Sequence, residues 1–465
     1  LAHEFRELGK YTDMVEQYEE ILKTYPLSEF VPESLLLLGD HAYQDKNIDQ
    51  ALGYYQRVLQ YPKSSAIVIA RYKLAWVHIN KRNYAQALSL FEKSVANKDV
   101  PSTVDVDTYN RVDIRLEALA DMAFTYSQVY KDTKPGDDSA YFKNIAWSRQ
   151  SYILVLEKLA NRYMIKHKWD NASYIYRELS AMQSDGTKLL HYLENLYTCL
   201  LESKNFGGSE NDIVLIVKAL DQVRYSVHMD ESKKVELMTV YELYARDVAT
   251  RLHNNAKKTN EVDDYRVAAS VYKKYLDFFD ESPKYAEIQI NYAESLFASG
   301  DHTRAGKVYE TIASTISDPK VRHDPLYSAA AAYYTALNNI GDLNHYEIAF
   351  SQDGLRDVGQ TYVGLYPSSS KSEDILFNIA RIQYDKGEFQ AAVEEFSAFV
   401  KKYPKGSNAK AAVELIMDSL NTTENYDALM DLEQDIAEIP GLDSGVKQNI
   451  AKVSKAAQAK IIQEM

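Results

Sequence analysis

"YKLAWVHINKRNYAQALSLFEKS" occupies residues 72–94, and its spacing decides how the chain folds. Ala75 is followed twelve positions later by Ala87, and Phe91 stands four beyond that. Apolar residues recur at helical intervals on both sides of the polar tetrad Lys81-Arg82-Asn83-Tyr84, so the stretch reads as two helices joined by a tight turn. Small residues twelve apart, one on each helix, let an antiparallel pair cross closely, and the aromatic one turn later fills the gap to the next pair. Asn or Gly in such a tetrad suits the left-handed residue that ends a helix.

Four further segments repeat the landmarks: "LLLLGDHAYQDKNIDQALGYYQRV" (35–58), "EKLANRYMIKHKWDNASYIYREL" (157–179), "INYAESLFASGDHTRAGKVYETI" (290–312) and "FNIARIQYDKGEFQAAVEEFSAF" (377–399). Their small pairs are Gly39 and Ala51, Ala160 and Ala172, Ala293 and Ala305, and Ala380 and Ala392, followed by Tyr55, Tyr176, Tyr309 and Phe396. Three before the second small residue stands a large side chain, Ile48, Tyr84, Trp169 or Phe389, with His302 in the remaining unit. One pair leaves an apolar face uncovered, and stacking pairs covers it, which predicts an all-α solenoid. "TYPLSE", "QYPKSS", "LYPSSS" and "KYPKGS" place Tyr-Pro at Tyr25, Tyr61, Tyr366 and Tyr403, always after a helical run; neighbours lie 36 and 37 residues apart. Proline there prevents continuation of one helix, and a following serine, Ser64 or Ser65 in the second case, caps the next. The motif is absent between residues 62 and 365, where the array is expected to become irregular.

This helix-turn-helix unit resembles the tetratricopeptide repeat, whose ~34-residue period and small, small, aromatic, proline pattern it matches. The resemblance implies an alpha-alpha superhelix of about ten to eleven antiparallel helix pairs, with "GVKQNIAKVSKAAQAKIIQEM" (445–465) as a polar closing helix. Repeat clarity divides the chain into an N-terminal array (1–106), degenerate helical repeats with loop insertions (107–262) and a C-terminal array with the closing helix (263–465). "NKDVPSTVDVDTYN" (97–110), "KDTKPGDDSAY" (131–141) and "KNFGGSEND" (204–212) are the expected insertions, since extra residues in a solenoid map to loops.

Composition narrows the function. A formal charge of −14 opposes nucleic acid and anionic membrane surfaces, which require a concentrated Lys/Arg field. The 37 Tyr far outnumber 14 Phe and 3 Trp, a reliance on side chains that sit half-buried with a wet hydroxyl. Cys199, the one cysteine, excludes an internal disulfide, and its place among leucines in "LENLYTCLLES" reads as a buried structural thiol. No apolar run reaches the ~18 residues of a membrane span. No signal peptide is visible, and the start at Leu1 without Met is expected to mark a fragment or processed form.

No H-E-x-x-H, Walker or G-x-S-x-G motif occurs, and the ten histidines are scattered. "SSSK" (368–371) fits S-x-x-K formally, but helix-capping serines explain it. "DVDTYN" (105–110) starts like a calcium loop, yet Tyr109 stands where Asp or Asn is needed and no glycine follows. No catalytic residue, metal ligand or cofactor is assigned, and the expected role is that of a non-catalytic binding scaffold for protein partners.

In proteins that this chain resembles, the first helix of each repeat lines a concave groove that takes a peptide. Carried over by register, the groove holds Leu36, Asp40, Tyr43 and Gln44; Tyr72, Trp76 and Asn80; Glu157, Asn161 and Met164; Ile290, Glu294 and Phe297; and Phe377, Arg381, Tyr384 and Asp385. The partner-binding candidates are Tyr43, Tyr72, Trp76, Asn80, Asn161, Phe297, Arg381 and Tyr384. Exposed Tyr and Trp bury large areas with two torsions to freeze, and Asn80 and Asn161 suit bidentate bonds to a peptide backbone. Aromatic residues at this spacing also serve as interhelical core. The paired Lys/Arg of the chaperone-binding carboxylate clamp are not found.

"ARYKLAWVHINKRNYAQAL" (70–88) after a Tyr-Pro-x-Ser boundary resembles bacterial cell-envelope repeat proteins, including lipoproteins of outer-membrane assembly and Tol-Pal partners. "IRLEALADMAFTYSQV" (114–129), "LYARDVATRLHNNAKKT" (243–259) and "YKKYLDFFDESPKYAEIQINYAESLF" (272–297) resemble the long tetratricopeptide proteins of adventurous gliding motility in myxobacteria and related predatory bacteria. That resemblance implies a scaffold in an envelope machine for gliding motility or predation, located in the periplasm or at the periplasmic face of the outer membrane. Two rival readings are a cytoplasmic adaptor for a polarity GTPase and an envelope protein whose aromatic groove stacks peptidoglycan or other glycans.

Overall fold

The structure is a computed structural model that describes residues 1–96, 103–105 and 111–464. The fold is all-α, with twenty-three α-helices among the described residues. Contacts divide the chain into two compact units, Leu1–Met238 and Thr239–Met465. The division falls inside the long helix α13 (Glu231–Thr259).

In the first unit α1 (Ala2–Glu7) and α2 (Tyr11–Thr24) lead into the pairs α3 (Val31–Gln44) with α4 (Ile48–Val58) and α5 (Ala66–Asn80) with α6 (Tyr84–Ala96). Then follow α7 (Ile114–Val129) with α8 (Asp137–Ile145), α9 (Arg149–Ile165) with α10 (Trp169–Met182), and α11 (Gly186–Ser203) with α12 (Asp212–Arg224). The second unit continues through α14 (Val262–Phe278), α15 (Tyr285–Ala298) with α16 (His302–Thr315), α17 (Pro319–Asn338) with α18 (His345–Leu365), and α19 (Lys371–Asp385) with α20 (Phe389–Lys402). It ends with α21 (Ala409–Thr422), α22 (Tyr426–Ala437) and the closing helix α23 (Ser444–Glu464). From α3 to α7, and again from α14 to α23, each helix packs on the next. Neighbouring pairs thereby cover each other's apolar faces, as stacking requires.

The landmarks of residues 72–94 do what their spacing requires. Ala51, Ala75, Ala87, Ala160, Ala172, Ala293, Ala305 and Ala392 are all fully buried, and Tyr55, Phe91 and Phe396 fill the gaps with no exposed surface. Gly39 has no room for more: a Cβ there would lie 2.5 Å from the Tyr55 ring. In the second unit Tyr333 of α17 is buried between two glycines, and a Cβ at Gly306 of α16 or Gly354 of α18 would come within 2.7 or 2.5 Å of its ring.

Two turn types alternate. Within pairs, Gly9, Lys46, Arg82, His167, Gly300, Gly387 and Glu424 adopt left-handed backbone. The residue after each donates its N–H to the carbonyl five positions back at 2.8–2.9 Å, as Asn83 does to His78, which is the Schellman closure of a helix C-terminus. In "KRNY" the left-handed residue is therefore Arg82, and Asn83 follows it. Between pairs, the N–H of Ser64 donates to the Tyr61 carbonyl at 3.0 Å and that of Ile67 to the Ser64 carbonyl at 3.2 Å. The same double bond pattern recurs from Tyr25, Tyr366 and Tyr403. It also recurs from Phe279 through Ser282, without Tyr-Pro, so the turn persists where the motif is missing. Of the two serines after Pro62, Ser64 is the one that caps, its Oγ accepting from the Ala66 N–H at 3.2 Å.

The insertions depart from simple loops. Strands Thr103–Asp105 and Arg111–Asp113 pair antiparallel, with Val104 opposite Val112, and Asp113 then caps α7 by accepting from the Arg115 N–H. The calcium-like stretch 106–110 lies outside the described residues. Of segment 131–141, the part from Asp137 on is helix α8. Segment 204–212 is a turn ending at Asp212, which is 1% exposed and held by Arg177 of α10 through two bonds of 3.1 Å. Cys199 is fully buried, and burial pushes its thiol up to about 12.

Candidate functional site

Part of the tyrosine excess is tied to the excess of acid. A buried phenol has to place its hydroxyl, and a neighbouring helix with a carboxylate accepts it strongly. Tyr55 donates to Asp40 at 2.6 Å, Tyr72 to Asp121 at 2.8 Å, Tyr152 to Glu178 at 2.6 Å and Tyr333 to Glu310 at 2.7 Å. Tyr141 bonds Glu92, Tyr192 bonds Glu157, Tyr275 bonds Glu242 and Tyr384 bonds Asp418 in the same way. Burial first, and the adjacent carboxylate second, raise the Tyr55 and Tyr72 hydroxyls well above the ordinary range.

Five of the eight candidate residues, Tyr43, Tyr72, Trp76, Asn80 and Tyr384, lie on hydrogen bonds where first helices of successive pairs meet. Asn80 of α5 donates its amide to the Tyr43 hydroxyl of α3 at 2.6 Å. Tyr72 and Trp76 of α5 converge on one oxygen of Asp121 in α7, the indole N–H at 3.1 Å. Burial raises the Asp121 carboxyl, and these two bonds act against that rise. Tyr384 of α19 reaches Asp418 of α21. The first-helix faces are thus joined side to side, with Tyr43, Tyr72, Trp76 and Tyr384 half-buried and Asn80 exposed.

Asn161, Phe297 and Arg381 are placed differently. Asn161 is exposed on α9 and makes no side-chain hydrogen bond among the described residues. Phe297 is half-buried near the end of α15, its ring 4.8 Å from that of His302. Arg381 pairs along its own helix with Asp385, Nε to Oδ2 at 3.5 Å. Glu157, a groove position by register, receives Tyr192, and Lys257 bonds Glu294 at 3.1 Å. Asp121 and Asp418 escaped the sequence reading because they lie in repeats without landmarks, and their partners stand 34 to 49 residues away. For Asp418, one repeat of 34 residues from Tyr384, that period was the available signal, whereas Asp121 lies 49 residues from Tyr72, beyond the 97–110 insertion.

The groups that this face presents are amide, phenol, indole and carboxylate, which offer hydrogen-bond donors and acceptors beside aromatic surface. Among the described residues no cluster of three or more His, Cys, Asp or Glu is placed to hold a metal ion, and no helix is long and apolar enough to cross a membrane.

Comparison with known proteins agrees with the helical units. A tetratricopeptide repeat model matches residues 1–66 and 261–320, and a second tetratricopeptide repeat model matches residues 374–406. No curated protein matches. Among solved structures, the crystal structure of the APC/C hetero-tetramer Cut9-Hcn1 is 14% identical, covering 97% of this chain and 88% of that one with a TM-score of 0.24. The structure of Naa15/Naa10 bound to HypK-THB is 15% identical, covering 99% of this chain and 72% of that one, also with a TM-score of 0.24.

Proposed function

We propose that this chain, a tetratricopeptide repeat protein, is a non-catalytic scaffold that binds segments of protein partners on the face formed by its first helices. The observation that carries the reading is the convergence of Tyr72 and Trp76 on Asp121, together with the Tyr43–Asn80 bond. Aromatic side chains fixed in advance by hydrogen bonds lose little entropy when a partner settles on them. Asn161 and Arg381 add exposed groups suited to a partner's backbone and carboxylates. The texture of residues 114–129, 243–259 and 272–297 supports a place in the cell envelope, in a gliding-motility or predation-related machine at the periplasmic side.

Chemical crosslinking in living cells tests the scaffold: defined envelope partners are expected, and their capture should fall with Asn161→Ala and Arg381→Ala while the melting temperature stays constant. Capture that survives both substitutions removes the first-helix face from the proposal. Protease protection in intact cells, lost on outer-membrane permeabilisation, is expected for a periplasmic protein. Retention with the cytoplasm after osmotic shock would favour the adaptor reading instead, and saturable quenching of Trp fluorescence by wall fragments the glycan reading.

A further inference from the structure

The C-terminal end of α7 gathers cations from α9, from the turn before α10 and from the loop that follows α7 itself. Lys166, the residue after α9, donates its ammonium to the Ser127 carbonyl at 2.5 Å and to the Ser127 hydroxyl at 3.1 Å. Lys168, just before α10, donates to the Lys131 carbonyl. Arg162, one turn before Lys166, lays its guanidinium 4.8 Å from the centre of the Phe124 ring of α7. Carbonyls at a helix end attract ammonium groups, which accounts for Lys166 and Lys168 but not for Arg162 or the Lys131 side chain.

No carboxylate balances the group. Among the described residues, none of Lys131, Arg162, Lys166 and Lys168 makes an ion pair, although the chain as a whole carries a net charge of −14. Asp132, beside Lys131, makes none either, and Asp170 accepts from Asn205 at 3.0 Å instead. Asp138, 1% exposed in the first turn of α8, accepts from Asn171 at 3.0 Å. Burial first, and then the charges of Arg162, Lys168 and Lys131, push the Lys166 ammonium down to about 8, with no carboxylate acting the other way. Arg162 makes no side-chain hydrogen bond among the described residues, and its Nε is buried. Cations held this close repel one another, and a visiting anion relieves the repulsion.

The cluster adjoins the first-helix face. Exposed Asn161 directly precedes Arg162 on α9, and Ile165, 62% exposed, directly precedes Lys166. Residues four apart on a helix share a face, so Asn161 and Ile165 form one stripe and Arg162 and Lys166 the next.

We propose that this cluster is an oxyanion subsite at the edge of the first-helix face, which takes side-chain carboxylates of an acidic partner segment. The inference rests on reading that face as a docking face and adds the chemistry of what docks there. One apolar side chain of the segment rests on Ile165, its main chain meets Asn161, and carboxylates on either side meet the ammonium groups of Lys131, Lys166 and Lys168. The cations stand on separate segments, and two of them already spend donors on main-chain carbonyls. That arrangement suits spaced carboxylates better than one compact phosphate, which calls for a tight cradle of donors.

The test uses the full chain and short fluorescein-labelled peptides, amidated at the C-terminus, in which Glu and Asp flank a central Leu, with binding read by anisotropy. Saturable binding that weakens as salt rises is expected, with about a tenfold loss for Lys131→Glu and for Lys166→Gln. Lys371→Glu, on α19, should leave the affinity unchanged. The exposed Lys131 side chain holds nothing in the fold, so its reversal tests the charge even where Lys166→Gln loosens the end of α7; circular dichroism melts of both variants separate the two effects. The proposal is overturned by absence of binding up to about 1 mM, by equal binding of a peptide with Lys in place of each acid, or by an affinity that ignores Lys131→Glu. Displacement of the peptide by equimolar inorganic pyrophosphate would overturn it too, in favour of a small-anion site. Partner capture in cells that falls with Asn161→Ala yet ignores Lys131→Glu and Lys166→Gln would remove this subsite and leave the first-helix face standing.

Discussion

Gly39 and Tyr55 meet where two helices cross, and neither can change alone. The phenol ring is fully buried, its hydroxyl is tied to Asp40, and it stands where a Cβ on residue 39 would be. Gly39→Ala therefore forces the ring off its position and should destabilise the first unit by about 1–3 kcal/mol, the usual cost of overpacking. Urea unfolding of the full chain reads the loss, and Gly39→Ala combined with Tyr55→Leu should recover part of it; if the single variant is as stable as the parent, the crossing is looser than described. The small residues twelve apart were legible because a close helix crossing leaves no alternative to Gly or Ala. The acceptors of the tyrosine hydroxyls were not: Asp121 sits in α7, which lacks those landmarks, and its bonds to Tyr72 and Trp76 follow from stacking rather than from local pattern.

Among the elements, the turns show how much of the punctuation resides in backbone geometry and how little in residue type. Seven within-pair turns share one hydrogen-bond closure, yet Lys46, Arg82, His167 and Glu424 occupy the left-handed position that glycine takes in the others. A side chain there strains the backbone, so Arg82→Gly should stabilise by about 0.5–1 kcal/mol. A higher urea midpoint with unchanged slope is the expected result, and a lower midpoint would show that Arg82 contributes more through its side chain than it loses in the turn. This tolerance explains why the sequence pointed to Asn83 while the chain turns at Arg82. It also explains why the between-pair turn at Phe279 was invisible: Ser282 supplies the same bonds without Tyr-Pro. Helix α8 was hidden for a related reason, since "KPG" before it looked like the start of a loop and Asp137 and Asp138 open a helix instead.

At the scale of the molecule, stacked pairs couple mainly to their neighbours, so damage stays near its source. Phe91→Ala should cost about 3–5 kcal/mol, with hydrogen-exchange protection falling first in α5 and α6. Phe396→Ala should do the same around α19 and α20. The two sites share no partner and lie in different units, so the double variant should lose the sum of the single losses. Uniform loss of protection along the chain from either single change would contradict pairwise stacking. The buried phenols add a vulnerability to alkali. Tyr55, Tyr152, Tyr192, Tyr275 and Tyr333 are buried with hydroxyls raised above their ordinary range, chiefly by burial. The folded chain thus keeps protons that the unfolded chain surrenders above about pH 10, and each such tyrosine withdraws ~1.4 kcal/mol per pH unit from there upward. Base titration followed at 295 nm should show these phenols ionising late and together, as the helices part, and a gradual ionisation with the helices intact would mean that the hydroxyls are not held as described. The burial of so many phenols in the stack thereby makes alkali an adversary of the fold.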